Sequence, residues 1–328
     1  MDNNRKDPTL SDEAATKTSY SLFQEPWWLN LASGGNWDEV QVKGDDGIAA
    51  RLPYYVRSRY GFKVLAQPHL TPCMGPWFRT LGAKDSSQYS DQYELAAELI
   101  SKLPPFDVFR QNCCPEWGNW LPFHWAGFSQ QTHYTYRIND LTDLDAVWSG
   151  FYSGTRRLIR KAQKELEVVV SDDVDKLCDL HELTYRQRGQ AMPYRREALF
   201  RIVDGALRSG RARFVYAQDE KRNIHAINFL VYDERVAYYL VGGSDRQFGD
   251  SAAPTLLMWD AIQFAAQRSA IFDFEGSMDK GIEQFFRRRF NPQLTPLNRI
   301  YKQKGLFGLA RHLRDGWIAL SGGAPHQM

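Results

Sequence analysis

Cysteine is scarce in this sequence, with four in 328 residues: Cys73, Cys113, Cys114 and Cys178. No CxxC pair occurs, and neighbours such as Cys113 and Cys114 bridge each other only with strain, so a disulfide framework is excluded and reduced thiols are expected. The seven histidines show no ligand spacing, which leaves no candidate zinc site or other metal centre. No apolar run approaches the roughly 20 residues needed to cross a bilayer. The first residues lack the apolar core of a secretory signal, and residues 1–18 are read as a disordered tail. These absences point to a cytoplasmic protein. Charge of one sign is lacking too: a formal net charge of +2 gives no whole-molecule field for nucleic acid.

What is present is a globular composition, 43% hydrophobic and 24% charged, with 14% aromatic residues. The length favours two domains. In the first half, short β-like runs (Asp38 to Val42, Ile48 to Val56, Phe62 to Leu65) are punctuated by Gly and Asp turns. A helix over 88–102 stops at Pro104-Pro105, and a strand runs from Asp107 to Gln111. A domain of residues 19–139 is therefore expected, with a break between about 135 and 150. The second domain, 140–304, opens with a basic helix carrying Arg156, Arg157, Arg160, Lys161 and Lys164. Two further helices precede an antiparallel meander, Ala212 to Gln218, Ile224 to Tyr232 and Val236 to Gly242. A polar loop, a helix from Pro254, a strand at Ile271 to Glu275, a helix from Lys280 and a last strand at Leu297 to Tyr301 follow.

The loop Arg246-Gln247-Phe248-Gly249-Asp250-Ser251-Ala252 joins a strand to a helix. Such a turn can aim backbone N–H groups at an anion beside the positive end of a helix, which suits a pyrophosphate. Gly242 and Gly243, on the preceding strand, would let a ligand or backbone approach, and free N–H groups there could hold a carbonyl that gains negative charge.

These blocks resemble the GNAT superfamily, and several resemble its FemAB-like branch. Thr155-Arg156-Arg157-Leu158-Ile159-Arg160-Lys161-Ala162 is similar to a TR-x-x-IRKA helix. Phe272-Asp273-Phe274-Glu275-Gly276-Ser277 is similar to an F-D-F-x-G-S segment, and Phe286-Arg287-Arg288-Arg289-Phe290-Asn291 to a Y/F-K-x-x-F-G block. Gln24 to Leu29, Leu52-Pro53-Tyr54 and Pro68 to Gly75 extend the resemblance over residues 20 to 302. It departs at Ser251, where the phosphate loop has Gly or Ala, at Arg287, where Lys is usual, and at Asn291, where Gly is usual.

The resemblance implies an α+β fold of two tandem acyl-CoA N-acyltransferase-type domains with mixed, largely antiparallel sheets. It implies an acyltransferase moving an acyl group, without a covalent enzyme intermediate, from acyl-CoA to the amine of an amino sugar or cell-envelope or polysaccharide precursor. Aminoacyl-tRNA is the alternative donor, and a non-catalytic binding protein the alternative class. No tightly bound cofactor is implied, the donor being a co-substrate. Glu275 is the candidate base, with Asp273 and Tyr239 as further catalytic candidates. Gly242, Gly243 and residues 246–252 are donor candidates. Arg156, Arg157, Ser277 and Arg287 are acceptor or phosphate candidates. From Gln284 to Arg314 there are eight Arg or Lys and no Asp or Glu, a run that includes Arg299 and suits phosphate-bearing or tRNA substrates. Residues 305–328 read as an amphipathic helix that docks on the domain or touches an anionic membrane surface.

Overall fold

The computed structural model describes residues 17–59, 61–79, 85–249, 251–275 and 280–305. Strands and helices alternate as an α+β chain. The strands are β1 (Trp37–Gly44), β2 (Gly47–Arg59), β3 (Phe62–Ala66), β4 (Trp77–Phe78), β5 (Val108–Asn112), β6 (Ser129–Ile138), β7 (Glu167–Ser171), β8 (Ala212–Gln218), β9 (Ile224–Tyr232), β10 (Val236–Ser244), β11 (Ile271–Asp273) and β12 (Gln293–Gln303). The helices are α1 (Pro26–Ser33), α2 (Asp85–Lys102), α3 (Leu121–Trp125), α4 (Leu144–Gly150), α5 (Ser153–Glu165), α6 (Val174–Gln187), α7 (Arg196–Arg208), α8 (Ala253–Ala265) and α9 (Lys280–Phe290). Local chemistry sets several boundaries. Asp143 and Asp173 cap α4 and α6 by accepting from the N–H groups of Ala146 and Lys176, at 2.9 and 3.0 Å. Pro254 sits in the first turn of α8, where its missing N–H costs nothing.

Among the described residues the strands join in one sheet of order β1-β2-β3-β5-β12-β6-β11-β10-β9-β8-β7, with β4 added on β2. The order is nearly symmetric about its centre. Each wing is an antiparallel meander ending in a parallel pair, β3 with β5 and β10 with β11, and all other pairings are antiparallel. A helix makes each parallel crossover, α2 between β3 and β5 and α8 between β10 and β11, as parallel neighbours require.

The middle of the sheet departs from a simple division of the chain. β12, expected within residues 140–304, lies between β5 and β6, both of the first half. β6 pairs in turn with β11 of the second half. The sheet thus runs unbroken across the expected boundary at 135–150. The sequence reading has no strand at β6, because Ser129 to Arg137 is mostly polar and only its last residues are buried.

The core crosses the boundary as well. Leu22, Phe23, Trp28, Cys73 and Cys114 share one buried cluster with Leu199, Phe214, Phe229 and Tyr238. The Gln24-to-Trp28 block serves as a fastener. Gln24 Nε2 donates to the carbonyls of Met74 and Gly75 at 3.1 and 3.0 Å, Trp28 Nε1 donates to Thr71 Oγ1 at 3.0 Å, and Glu25 pairs with Arg211 at 2.6 Å. These bonds fix the segment from Thr71 to Gly75 against the second half of the chain. No helix among the described residues is long and apolar enough to cross a membrane, and residues 306–328, with the expected amphipathic helix, lie outside them.

Candidate active site

β10 and β11 run side by side only over Val236–Tyr238 and Ile271–Asp273. Beyond Tyr238 the two strands part. On its other side β10 is irregular: Tyr239 pairs with Leu230 and Val241 with Phe229, so Leu240 is a bulge with no partner on β9. A cavity of about 940 Å³ opens where the strands diverge. Tyr239, Leu240, Val241 and Gly242 line one side of it, and Phe274 and Glu275 face them from the end of β11. Ala66 to Pro72, after β3, together with Arg110 and Asn112 of β5, bring the matching gap of the other wing into the same cavity.

Glu275 is held by geometry as well as by burial. Its φ of +66° is left-handed, a conformation that a residue with a side chain adopts only where its surroundings impose it. Asp273 imposes it here, since Asp273 Oδ1 accepts from the Glu275 N–H at 2.9 Å. Asp273 is itself anchored by Arg137, whose Nε donates to Oδ2 at 2.7 Å, and by Thr135 Oγ1. Arg137 Nη1 also pairs with Glu116 at 3.0 Å. Asp273 therefore faces Arg137, inside the protein, and its oxygens are committed to fixed partners.

Burial pushes the Glu275 pKa well above its ordinary value of 4.5; Asp273 and Cys73 push the same way and Arg137 opposes them. Burial likewise raises Asp273, against the pull of Arg137, Thr135 and the Glu275 N–H. A carboxyl whose folded pKa is raised favours the folded state most below its unfolded pKa, and that contribution is lost as pH rises through the folded value. Glu275→Gln should remove the penalty. Its melting temperature relative to wild type is expected to climb as pH rises above the ordinary carboxyl range. Parallel thermal melts across that rise, with no change in the difference, would contradict the raised pKa.

Tyr239 lies across the gap, and burial lifts its phenol to about 12, so it is protonated near neutrality. A Cβ on Gly242 would sit 1.5 Å from the Tyr239 hydroxyl, so glycine at 242 makes room for that group. Gly243 has another cause: a Cβ there would meet Thr184 Oγ1 at 2.8 Å and the Leu180 carbonyl at 3.3 Å, on α6. His181 of the same helix fixes the strand end. Its Nδ1 lies 3.0 Å from the Gly242 carbonyl and must donate to it, which leaves Nε2 to accept from the Tyr194 hydroxyl at 2.8 Å.

The loop 246–252 differs from its expected form. Arg246 to Phe248 make a 3₁₀ turn capped by Asp245. Arg246 N donates to Gln187 Oε1 at 2.9 Å, Gln247 N to Asp245 Oδ1 at 2.9 Å, and Phe248 N to the Asp245 carbonyl at 3.1 Å. Gly249 N donates to the Arg246 carbonyl at 3.0 Å and Ser251 N to the Phe248 carbonyl at 2.8 Å. Phe248 stacks on His225 with centroids 4.0 Å apart. The amides of Arg246, Gln247, Phe248, Gly249 and Ser251 are thus bonded within the protein, and the Asp245 carboxylate takes one of them. Of this loop only Arg246 lines the cavity; Ala252 is the residue before α8, and Asp250 lies outside the described residues.

The acceptor candidates lie away from this cavity or outside the described residues. Arg156 spends its guanidinium on the carbonyls of Ser149, at 2.7 Å, and Phe151, closing the end of α4. Arg157 is exposed on α5, Arg287 is exposed on α9, and none of the three lines the cavity. Ser277 lies outside the described residues. Asn291 does adopt left-handed backbone, at φ 49°, which keeps a glycine-like turn. The cations that do line the cavity are Arg57, Arg110, Arg188, Arg246 and Arg299, and Glu275 is the one carboxylate among the described lining residues. Arg57 and Arg110 escape a reading by motif because they come from separate strands, Arg188 stands alone after α6, and Arg246 opens the loop motif. Arg299 alone stands in the basic run noted above.

Residues 150–287 match the domain model described as acetyltransferase (GNAT) domain. In fold the chain is similar to FemX, with a TM-score of 0.65 and 12% identity over 85% of this chain and 92% of that one. It is similar to L-PGS from Bacillus licheniformis, with a TM-score of 0.53 and 11% identity over 89% and 91% of the two chains. It is also similar to the C-terminal domain of a chain described as a lysylphosphatidylglycerol synthetase from Agrobacterium fabrum, with a TM-score of 0.54 and 12% identity over 96% of each. No curated protein matches the sequence.

Proposed function

We propose that this GNAT domain, set in a FemX-like fold, transfers an acyl group directly to an amine in the cavity between β10 and β11. The observation that carries the reading is the parting of these strands with Glu275 across the gap from Tyr239 to Gly242. An acyl carbonyl laid against the bulge at Leu240 meets backbone that β9 and β11 leave unpaired, where N–H groups can stabilise the oxyanion as the amine attacks. Glu275 takes the proton from the amine, and Tyr239 can give one to the leaving group. Arg57, Arg110 and Arg299, on the far wall, suit a phosphate carried by the substrate. An amino sugar or cell-envelope precursor is an acceptor of that kind.

Acyl-CoA is the donor that the loop motif suggests. A second reading, aminoacyl-tRNA, is favoured by one observation: five amides of the loop, those of Arg246 to Gly249 and of Ser251, are already bonded within the protein. Thermal shift separates the two. A donor present at about 100 times its Kd stabilises the fold by about 2.7 kcal/mol. Acetyl-CoA should raise the melting temperature under the first reading. Under the second it should not, and charged tRNA should bind with an affinity that falls steeply with salt. If neither binds, acyl transfer is abandoned for a binding role.

A further inference from the structure

Behind Glu275 lies a second cavity of about 100 Å³. Glu275, Pro72 and Asn112 line both cavities, so the glutamate stands in the partition between them. Arg137, Thr135, Asp273, Tyr238 and Cys73 line the small one, and His133 and Leu297 belong to its outer wall on β6 and β12. Two polar atoms are conspicuous here. Arg137 Nη2 is buried without a hydrogen-bond partner, although the side chain is only 5% exposed and its Nε and Nη1 are both engaged. Glu275 Oε1 is likewise buried and unpartnered. One is an obligate donor, and the other accepts when ionised and can donate when protonated.

A buried guanidinium N–H and a buried carboxyl oxygen left unsatisfied would each cost free energy comparable to a lost hydrogen bond. The volume is ample for an ordered water, which occupies about 30 Å³ in the liquid. A further anion is a poorer fit, because Arg137 already faces Asp273 and Glu116. We propose that the small cavity holds water joining Arg137 Nη2 to Glu275 Oε1, and that the proton Glu275 takes from the substrate leaves through it, away from the substrate cavity.

The inference rests on the acyl-transfer reading for its purpose, and the proton balance gives that purpose. Near neutrality an alkyl amine arrives as an ammonium. R–CO–X plus R′–NH₃⁺ yields R–CO–NH–R′, HX and one proton: the C–N bond forms, the C–X bond breaks, and X keeps the electron pair and a proton. The remaining proton must reach solvent. With substrate filling the large cavity, the partition residue can discharge it on the other side. Water accepting from the fixed Arg137 N–H keeps its second lone pair for the protonated Glu275 carboxyl and turns its own hydrogens away, so it can take that proton and release one of its own.

The test needs no substrate. A high-resolution crystal structure of the full chain should show water within about 2.6–3.2 Å of both Arg137 Nη2 and Glu275 Oε1. Leu297→Phe adds a ring to the small cavity alone, and Leu297→Met is a gentler plug should the first misfold. Infrared spectra taken while pH is lowered should show a protonated carboxyl band that Glu275→Gln abolishes, and exchange is followed at the highest pH at which that band is seen. Transfer to D₂O should shift that band promptly in wild type and at least about tenfold more slowly in the plugged variants. A dry cavity, or equal exchange in plugged and open proteins, overturns the proposal. Because neither readout involves turnover, their failure is distinct from retained activity in Glu275→Gln, which would take the base away from Glu275, and from the failure of both donors to bind, which would sink the acyl-transfer reading.

Discussion

Glu275→Gln is expected to lower kcat by about 10² to 10⁴, the usual contribution of a positioned base. The amide keeps the shape of the carboxyl and much of its hydrogen bonding. It does not disturb the bond from the Glu275 N–H to Asp273, so the left-handed backbone at 275 should persist. Donor affinity should stay within a few fold, because the donor carbonyl is assigned to the opposite strand. That split between kcat and donor affinity marks an interaction made in the transition state rather than in the bound ground state. Near-normal kcat in the variant would move the proton transfer elsewhere, with Asp273 or a bound water as the next candidates.

A second large effect is expected from Arg137, this time on stability. Its guanidinium and the Asp273 carboxylate are 5% and 4% exposed, and their contact is 2.7 Å. Arg137→Met would leave Asp273 buried without its counter-ion. Losing one partner of a buried pair typically costs about 3–5 kcal/mol. Asp273→Asn added to Arg137→Met should recover part of the loss, since a neutral amide is easier to bury than an orphan carboxylate. Urea unfolding of the single and double variants would measure both. A single variant within about 0.5 kcal/mol of wild type, the range of ordinary surface changes, would mean that water or structural relaxation replaces the arginine.

Much of the architecture was legible in the residues, for identifiable reasons. The meander β8–β10 is written in apolar runs bounded by Asp219 to Asn223 and by Asp233-Glu234, and those turns hold in the structure. Pro254 marks the start of α8. The strand β6 was not legible because its exposed half, Ser129 to Thr132, offers no alternation of polar and apolar residues. Glu275 could be singled out by its place at the end of a strand. The service that Asp273 performs for it could not, since that depends on Arg137, more than a hundred positions earlier in the chain. The loop at 246–252 shows the converse. Its letters suit a phosphate turn, while Gln187 and Asp245 take the amides of Arg246 and Gln247, and Gln187 comes from another helix. His181 and the arginines from β2, β5 and β12 converge only through the sheet order.

The placement of β12 bears on how the chain is made. Synthesis runs from the N-terminus, and domains commonly fold as they emerge. Here the slot between β5 and β6 is filled by Gln293–Gln303, so the first wing cannot complete its pairing until nearly three hundred residues have been polymerised. Until then β5 and β6 each present an unpaired edge, the kind of surface on which nascent chains join one another. Contacts of such sequence separation also slow folding. A ribosome stalled before codon 293 would therefore release a protein damaged in its first half, although every residue of that half had been translated.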